Sequence, residues 1–261
     1  MERFTTEFRA LHETDDADRI EATLAGLERE QFTEMDGTTF SPVSKVPSKL
    51  FDLLQVGLRR IIELTESSVR EMNRGKVVTA YVLVRAVLET SCLLLDATRR
   101  AQKAVKNGDA KAVDEIDKFL MDVLVGFKSP EWGFSEEYVA RNVLTIIQRL
   151  TKELDLELMW FYEGLSEVAH PNYLGMLGMY QKSPTTPGDT LVKYGAPQGE
   201  DLKVHMQMAI GGLATATEMM ALAIKNFDEI ATPFALLCEQ EIYEGGTWPE
   251  GMEYPLKRRT S

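Results

Sequence analysis

Between Val77 and about Lys106 the chain carries a helical pattern that is apolar almost all round. Val82, Val84, Val87, Leu88, Leu94 and Leu95 fall on several faces rather than one. A helix of that kind has little surface to give to water. It belongs at the centre of a helical protein, and the rest of the chain has to cover it. Leu50, Leu53, Leu54, Leu58, Ile61, Ile62 and Leu64 repeat with helical spacing from near Pro47-Ser48 to about Arg74, where Gly75 is a candidate C-terminal cap.

Downstream, Asn107-Gly108 ends the apolar helix, and Asp109 is placed to cap the next one, which runs to about Phe127 before Ser129-Pro130. Ser135 caps another, with Val139, Val143, Ile146, Ile147 and Leu150 inward, and a further helix covers about Leu156 to His170. Leu177 to Gln181 and Thr190 to Tyr194 read as short strands of a hairpin or flap. Helical spacing returns near Glu200 and continues to about Leu237, with a break expected near Pro233. Upstream, Asp15 to about Phe32 is amphipathic, with Ile20, Leu24 and Leu27 on one face, and a linker follows from Gly37 to Pro47. The expected fold is all-α: an antiparallel bundle of five or six long helices over 47–244, with a small β-hairpin or flap insertion at about 174–195. An N-terminal helical arm and linker occupy 1–46, and a flexible tail occupies 245–261.

At 261 residues the chain can bury a core without disulfides or metals. Its 41 acidic against 29 basic residues give a net charge of −12, which repels phosphate backbones at long range and argues against broad nucleic-acid binding. The two cysteines, Cys92 and Cys238, sit in apolar surroundings, as expected of reduced thiols in the cytoplasm, and the N-terminus has no apolar signal core. Met206 to Ile224 is nearly apolar, but Glu218 interrupts it, and a central acid costs roughly 2.5–3.5 kcal/mol in a bilayer. The expected role is a buried helix, with no membrane partner.

Two polar series stand out. Tyr81, Arg85, Glu89, Cys92 and Asp96 recur every three or four residues and share one face of the apolar helix. Burial there, whole or partial, obliges Arg85 and Glu89 to find partners. Tyr162, Ser166 and His170 are also one turn apart, and they flank the apolar face of Leu158, Phe161, Leu165 and Ala169. This candidate cluster of Arg85, Glu89, Tyr162, Ser166 and His170 either orients a ligand or locks helix register. The expectation is that His170 and Ser166 meet Glu89 and Arg85 across a helix–helix contact.

The Arg-x-x-x-Glu of an apolar helix, followed by Tyr-x-x-x-Ser-x-x-x-His at a helix end, resembles uncharacterised bacterial helical-bundle proteins. These are similar in turn to the HEPN and Abi-like superfamily, and the resemblance spans about Pro47 to Asn172. It implies a homo-oligomer, with RNA at a local patch and a setting in stress or phage defence. HEPN ribonucleases place an Arg a few residues before the His, whereas Glu163, Gly164 and Leu165 stand here. That departure removes ribonuclease chemistry from what the resemblance implies.

Other chemistries are poorly supplied. Glu167-x-x-His170 has di-iron spacing, but no second such motif accompanies it, so no metal is expected. Ser166 lies in no nucleophile elbow, and phosphate-binding Gly loops and CxxC pairs are missing, so no cofactor is expected. Gly211-Gly212 lies within a helical run and suits close helix packing. Arg99, Arg100, Lys103 and Lys106 complement a helix C-terminus. The catalytic residues stay unassigned. The alternatives are an interaction or scaffold module and a small-ligand or metal-binding bundle.

Overall fold

The computed structural model describes residues 3–12, 15–36, 40–41, 43–127, 129, 131, 138–182 and 192–242. Among them the chain is mostly helical, with one small antiparallel sheet. The elements are α1 Thr6–Leu11, α2 Asp15–Arg29, α3 Val46–Asn73, α4 Val77–Asn107, α5 Ala112–Leu124, α6 Val143–Leu154 and α7 Leu158–Ala169. A π-helical turn Leu174–Gly178 follows, then β1 Gln181–Lys182, β2 Lys193–Tyr194 and α8 Gly199–Ile242. The expected C-terminal tail lies outside the described residues, as do residues 183–191 of the flap.

The chain divides into two compact units that do not follow sequence order: Met1–Arg29, Arg59–Cys92 and Ile147–Met219 in one, and Glu30–Leu58, Leu93–Ile146 and Met220–Ser261 in the other. Helices α3, α4, α6 and α8 each contribute a segment to both.

In the first unit Ile20, Leu24, Ile61, Val84, Leu88, Ile147, Leu165 and Leu213 are fully buried. Helix α2 is docked here. Ile20 and Leu24 are in the core, and Arg19 donates to both carboxylate oxygens of Glu218 at 2.9 and 2.8 Å. Arg3 pairs with Glu28 at 2.6 Å and Glu66 at 2.5 Å. Gly75 ends α3 as expected, with φ +68°: its amide donates to the Met72 carbonyl, and the Lys76 amide to that of Glu71, both at 2.9 Å. This reciprocal pair needs the left-handed backbone that glycine adopts without strain. Phe161 lies across Gly211 and Gly212, where an added Cβ would stand 3.3–3.4 Å from its ring, so the glycines let α7 approach α8.

In the second unit Gly57 lets α3 approach α4, since a Cβ there would stand 2.5 Å from Leu94. Phe51 is the hub of an aromatic cluster, with ring centroids 5.4 Å from Phe32, 5.0 Å from Phe40 and 5.8 Å from Phe227. Lys49 pairs with Asp117 of α5 at 2.6 Å. The buried Ser41 hydroxyl accepts from the Ser44 amide at 2.8 Å and donates to Glu239, whose carboxyl is pushed up by burial against the opposing pull of that hydrogen bond.

Four local expectations need correction. Asp109 does not cap α5: its amide donates to the Ala104 carbonyl at 3.0 Å and closes the end of α4, and Lys111 precedes α5 instead. Val139 is not helical. It pairs with Phe127 in an isolated parallel bridge, and α6 starts only at Val143; Ser135 lies outside the described residues. Helix α8 continues through Pro233. The proline removes only the hydrogen bond to the Glu229 carbonyl, on an exposed side, while buried Phe227, Ile230, Phe234 and Leu237 hold the helix in place. Leu177 and Gly178 belong to the π-helical turn rather than a strand, and among the described residues the hairpin pairs Gln181 with Tyr194 and Lys182 with Lys193.

Helices Val77–Asn107 and Gly199–Gln240 contain windows long and apolar enough to cross a membrane, and about half of each window is buried inside the protein (50% and 56%).

His12 is buried, its ring 4.3 Å from that of Phe8, and its Nδ1 has no hydrogen-bond partner. Burial and the Lys203 charge lower its pKa; burial lowers that of His205 as well, against the pull of Asp201. The unfolded chain therefore takes up these protons first. Stability is full above about pH 6.5, the ordinary histidine value, and falls as pH drops through the folded values. Melting temperatures measured from pH 7.5 to 5 should decline below that point, and His12→Leu should flatten part of the decline.

Candidate functional site

Helix α4 sets Arg85 and Glu89 one turn apart, and Arg85 Nε donates to Glu89 Oε1 at 2.9 Å. Its Nη2 donates to the Tyr162 hydroxyl of α7 at 3.2 Å, and the guanidinium lies 5.1 Å from the Tyr162 ring centroid. Arg85 and Glu89 keep 24% and 30% of their side-chain surface exposed. The burial is therefore partial. The pair sits near the surface value of about 0–1 kcal/mol rather than the 3–5 kcal/mol lost when a fully buried pair is broken.

The other members of the α4 stripe are satisfied separately. The Tyr81 hydroxyl donates to the His205 carbonyl at 2.6 Å, and burial pushes its phenol pKa up. Cys92 is buried and forms no disulfide. In the second unit, Asp96 accepts from Arg100 Nε at 2.9 Å. No single ligand-facing stripe results.

The end of α7 has a different construction. His170 is the residue at which the helix stops. Its amide donates to the Ser166 carbonyl at 3.0 Å, its backbone is extended, and the residue is exposed. Asn172 organises the next turn. Its amide donates to the His170 carbonyl at 2.8 Å, its Oδ1 accepts from the Gly175 amide at 2.9 Å, and its Nδ2 donates to Glu167 at 2.7 Å. Gly175 is pressed onto the helix end: a Cβ there would stand 2.1 Å from the His170 carbonyl oxygen and 2.6 Å from that of Val168. The sequence His170-Pro171-Asn172 thus has a complete conformational task.

Of the five candidates, Arg85, Glu89 and Tyr162 come together. Ser166 Oγ is buried without a hydrogen-bond partner, and no described hydrogen bond or ion pair joins Ser166 or His170 to Arg85 or Glu89. The helical rise accounts for this: His170 lies eight residues beyond Tyr162, roughly 12 Å further along α7. Among the described residues no group of His, Cys, Asp and Glu could hold a metal ion.

One constellation has no counterpart in the sequence expectations. In the second unit Phe119 meets two guanidinium groups, Arg100 at 4.5 Å and Arg141 at 5.4 Å, each paired with a carboxylate that is nearly fully buried, Asp96 at 2.9 Å and Asp122 at 2.6 Å. An Asp on the apolar face of α5, beside Phe119, was the available sign. Arg141 lies before α6 and could not be placed from periodicity. In the first unit a cavity of about 90 Å³ is lined by Lys76, Val77, Thr79, Met179, Tyr180 and Pro197 among others, and it is smaller than an engineered cavity that admits benzene (~150 Å³). No protein family, curated protein or solved structure matches this chain.

Gly175→Ala should cost about 3 kcal/mol or more in urea unfolding, because the obstructing atoms are backbone carbonyls that cannot rotate away. Tyr162→Phe should cost only about 0.5–1.5 kcal/mol, since it removes one hydrogen bond and keeps the ring under Arg85.

Proposed function

We propose that this chain is a HEPN-like helical-bundle protein that acts by binding rather than by cleaving RNA. The observation that supports this reading is the separation of the two groups such cleavage would need. Arg85 is engaged by Glu89 and Tyr162, while His170 ends α7 exposed and bonded through its backbone. A histidine acting as general acid or base on a ribose hydroxyl needs a cation beside it to stabilise the charge that develops on phosphorus. The nearest charged side chains on its own helix are the carboxylates Glu163 and Glu167, both exposed. The Arg85–Glu89–Tyr162 contact is read as a register pin between α4 and α7. The antiparallel bundle of five or six helices, the cytoplasmic setting and the homodimer belong to the same reading, and any RNA bound at a local patch would be left intact.

The test is incubation of the purified chain with end-labelled single-stranded RNA and tRNA, beside His170→Ala and Arg85→Ala. The expected result is intact RNA in every lane. Cleavage by the parent protein that vanishes in His170→Ala would overturn the proposal.

A further inference from the structure

We infer that the face around the π-helical turn Leu174–Gly178 is where two copies of this chain dock on each other. The inference deepens the homodimer proposed above and rests on it.

The stretch from Pro171 to Gln181 contains no Asp, Glu, Lys or Arg, in a chain of which 27% is charged. It is also turned outward. Tyr173 is 74% exposed, Leu174, Met176, Leu177 and Tyr180 are exposed, and Tyr194 on the paired strand is 77% exposed. These side chains present on the order of 600 Å², against about 800 Å² per partner in a standard interface. A monomer seldom leaves more than a few hundred Å² of contiguous apolar surface bare.

The face is built rather than loose. Gly175 is buried beneath it against the end of α7, and Asn172 bonds both the Gly175 amide and Glu167. The Gly178 amide donates to the Tyr173 carbonyl at 2.8 Å, and the Gly195 amide donates to that of Tyr180 at 2.9 Å, which ties in the strand bearing Tyr194. Little conformational freedom remains to be lost on docking.

Charge selects the occupant. A polyanion meets a chain of net charge −12 and finds no cation in this stretch. A basic partner finds no carboxylate in it either. Beside it, Lys182 and Asp201 already pair with each other at 3.3 Å. An uncharged face rich in Tyr and Met is complementary to a second copy of itself, because little charge has to be desolvated: exposed Lys193, next to Tyr194 on β2, falls on the opposite side of the strand by the alternation of strand side chains. A two-fold axis brings that same patch to both sides of the contact.

The test is sedimentation equilibrium of the full chain from 1 to 100 µM. The expected mass is twice 29.4 kDa. Met176→Glu with Leu177→Glu sets like charges across the axis and should weaken association on the order of a hundredfold or more. Circular dichroism should stay unchanged, since both side chains are exposed. Tyr173→Lys is the second variant should that pair fail to fold, and Val56→Glu, exposed elsewhere, should leave association intact. A parent chain of 29.4 kDa at 100 µM overturns the inference together with the homodimer. A parent dimer that persists in both Met176→Glu/Leu177→Glu and Tyr173→Lys overturns the docking face alone. A monomer that binds phosphatidylcholine vesicles or single-stranded RNA, and loses that binding in Met176→Glu/Leu177→Glu, overturns the inference in favour of that partner.

Discussion

From Leu83 to Arg100, helix α4 has no exposed residue. Polar side chains on that stretch have little access to water, and apart from Ser91, whose buried hydroxyl has no hydrogen-bond partner, the solutions seen are local. Arg85 reaches Glu89, Arg100 reaches Asp96, Thr90 donates to the Ala86 carbonyl at 2.7 Å and Thr98 to that of Leu95 at 3.1 Å. A partner one turn away is already held in place by the helix, so the contact orders little that was free. Arg85 and Arg100 then add an aromatic ring, Tyr162 in one unit and Phe119 in the other. The planar guanidinium can bond at its edge while its face lies on a π-system, which lets an arginine be partly desolvated where a lysine would not be.

That local logic explains how much of the fold was legible. Apolar spacing located the long helices, and Gly75 and Gly108 marked two ends correctly because both occupy the left-handed region where most residues are strained. The same rules failed where a neighbouring element decided the matter. Asp109 looks like an N-cap, but a turn closed by the Ala112 amide on the Asp109 carbonyl intervenes, and α5 begins only at Ala112. Pro233 looks like a break, yet the helix keeps its buried side and leaves the orphaned carbonyl on the wet one. Val139 has the spacing of an α6 core residue, but Gly126 brings the chain after α5 against Val139 and Ala140, close enough that a Cβ would meet the Ala140 amide nitrogen at 2.9 Å.

The candidate site was legible to the same depth. Periodicity alone put Arg85 and Glu89 on one face, and the polar edge of α7 pointed to Tyr162 as well as to His170. Sequence does not state the axial offset between two helices, and that offset decides which member of an i, i+4 series reaches across. Contacts between distant segments were out of reach altogether. Ser41 and Glu239 meet from opposite ends of the sequence, and neither stands in a pattern that predicts the other.

The residues that look most like chemistry are thus largely consumed by structure. Asn172 and Gly175 fold the chain back on the end of α7, and Arg85 is held by an acid and a phenol. A buried or half-buried polar group that is fully partnered has little capacity left for a ligand, since each bond to a newcomer displaces one already made. The apolar side chains of the π-helical turn are in the opposite state. They remain in water, held by hydrogen-bonded backbone, and their removal from water is a favourable term that folding has left unused. Association through that turn would use surface that folding has left exposed, and would leave the polar pins of α4 undisturbed.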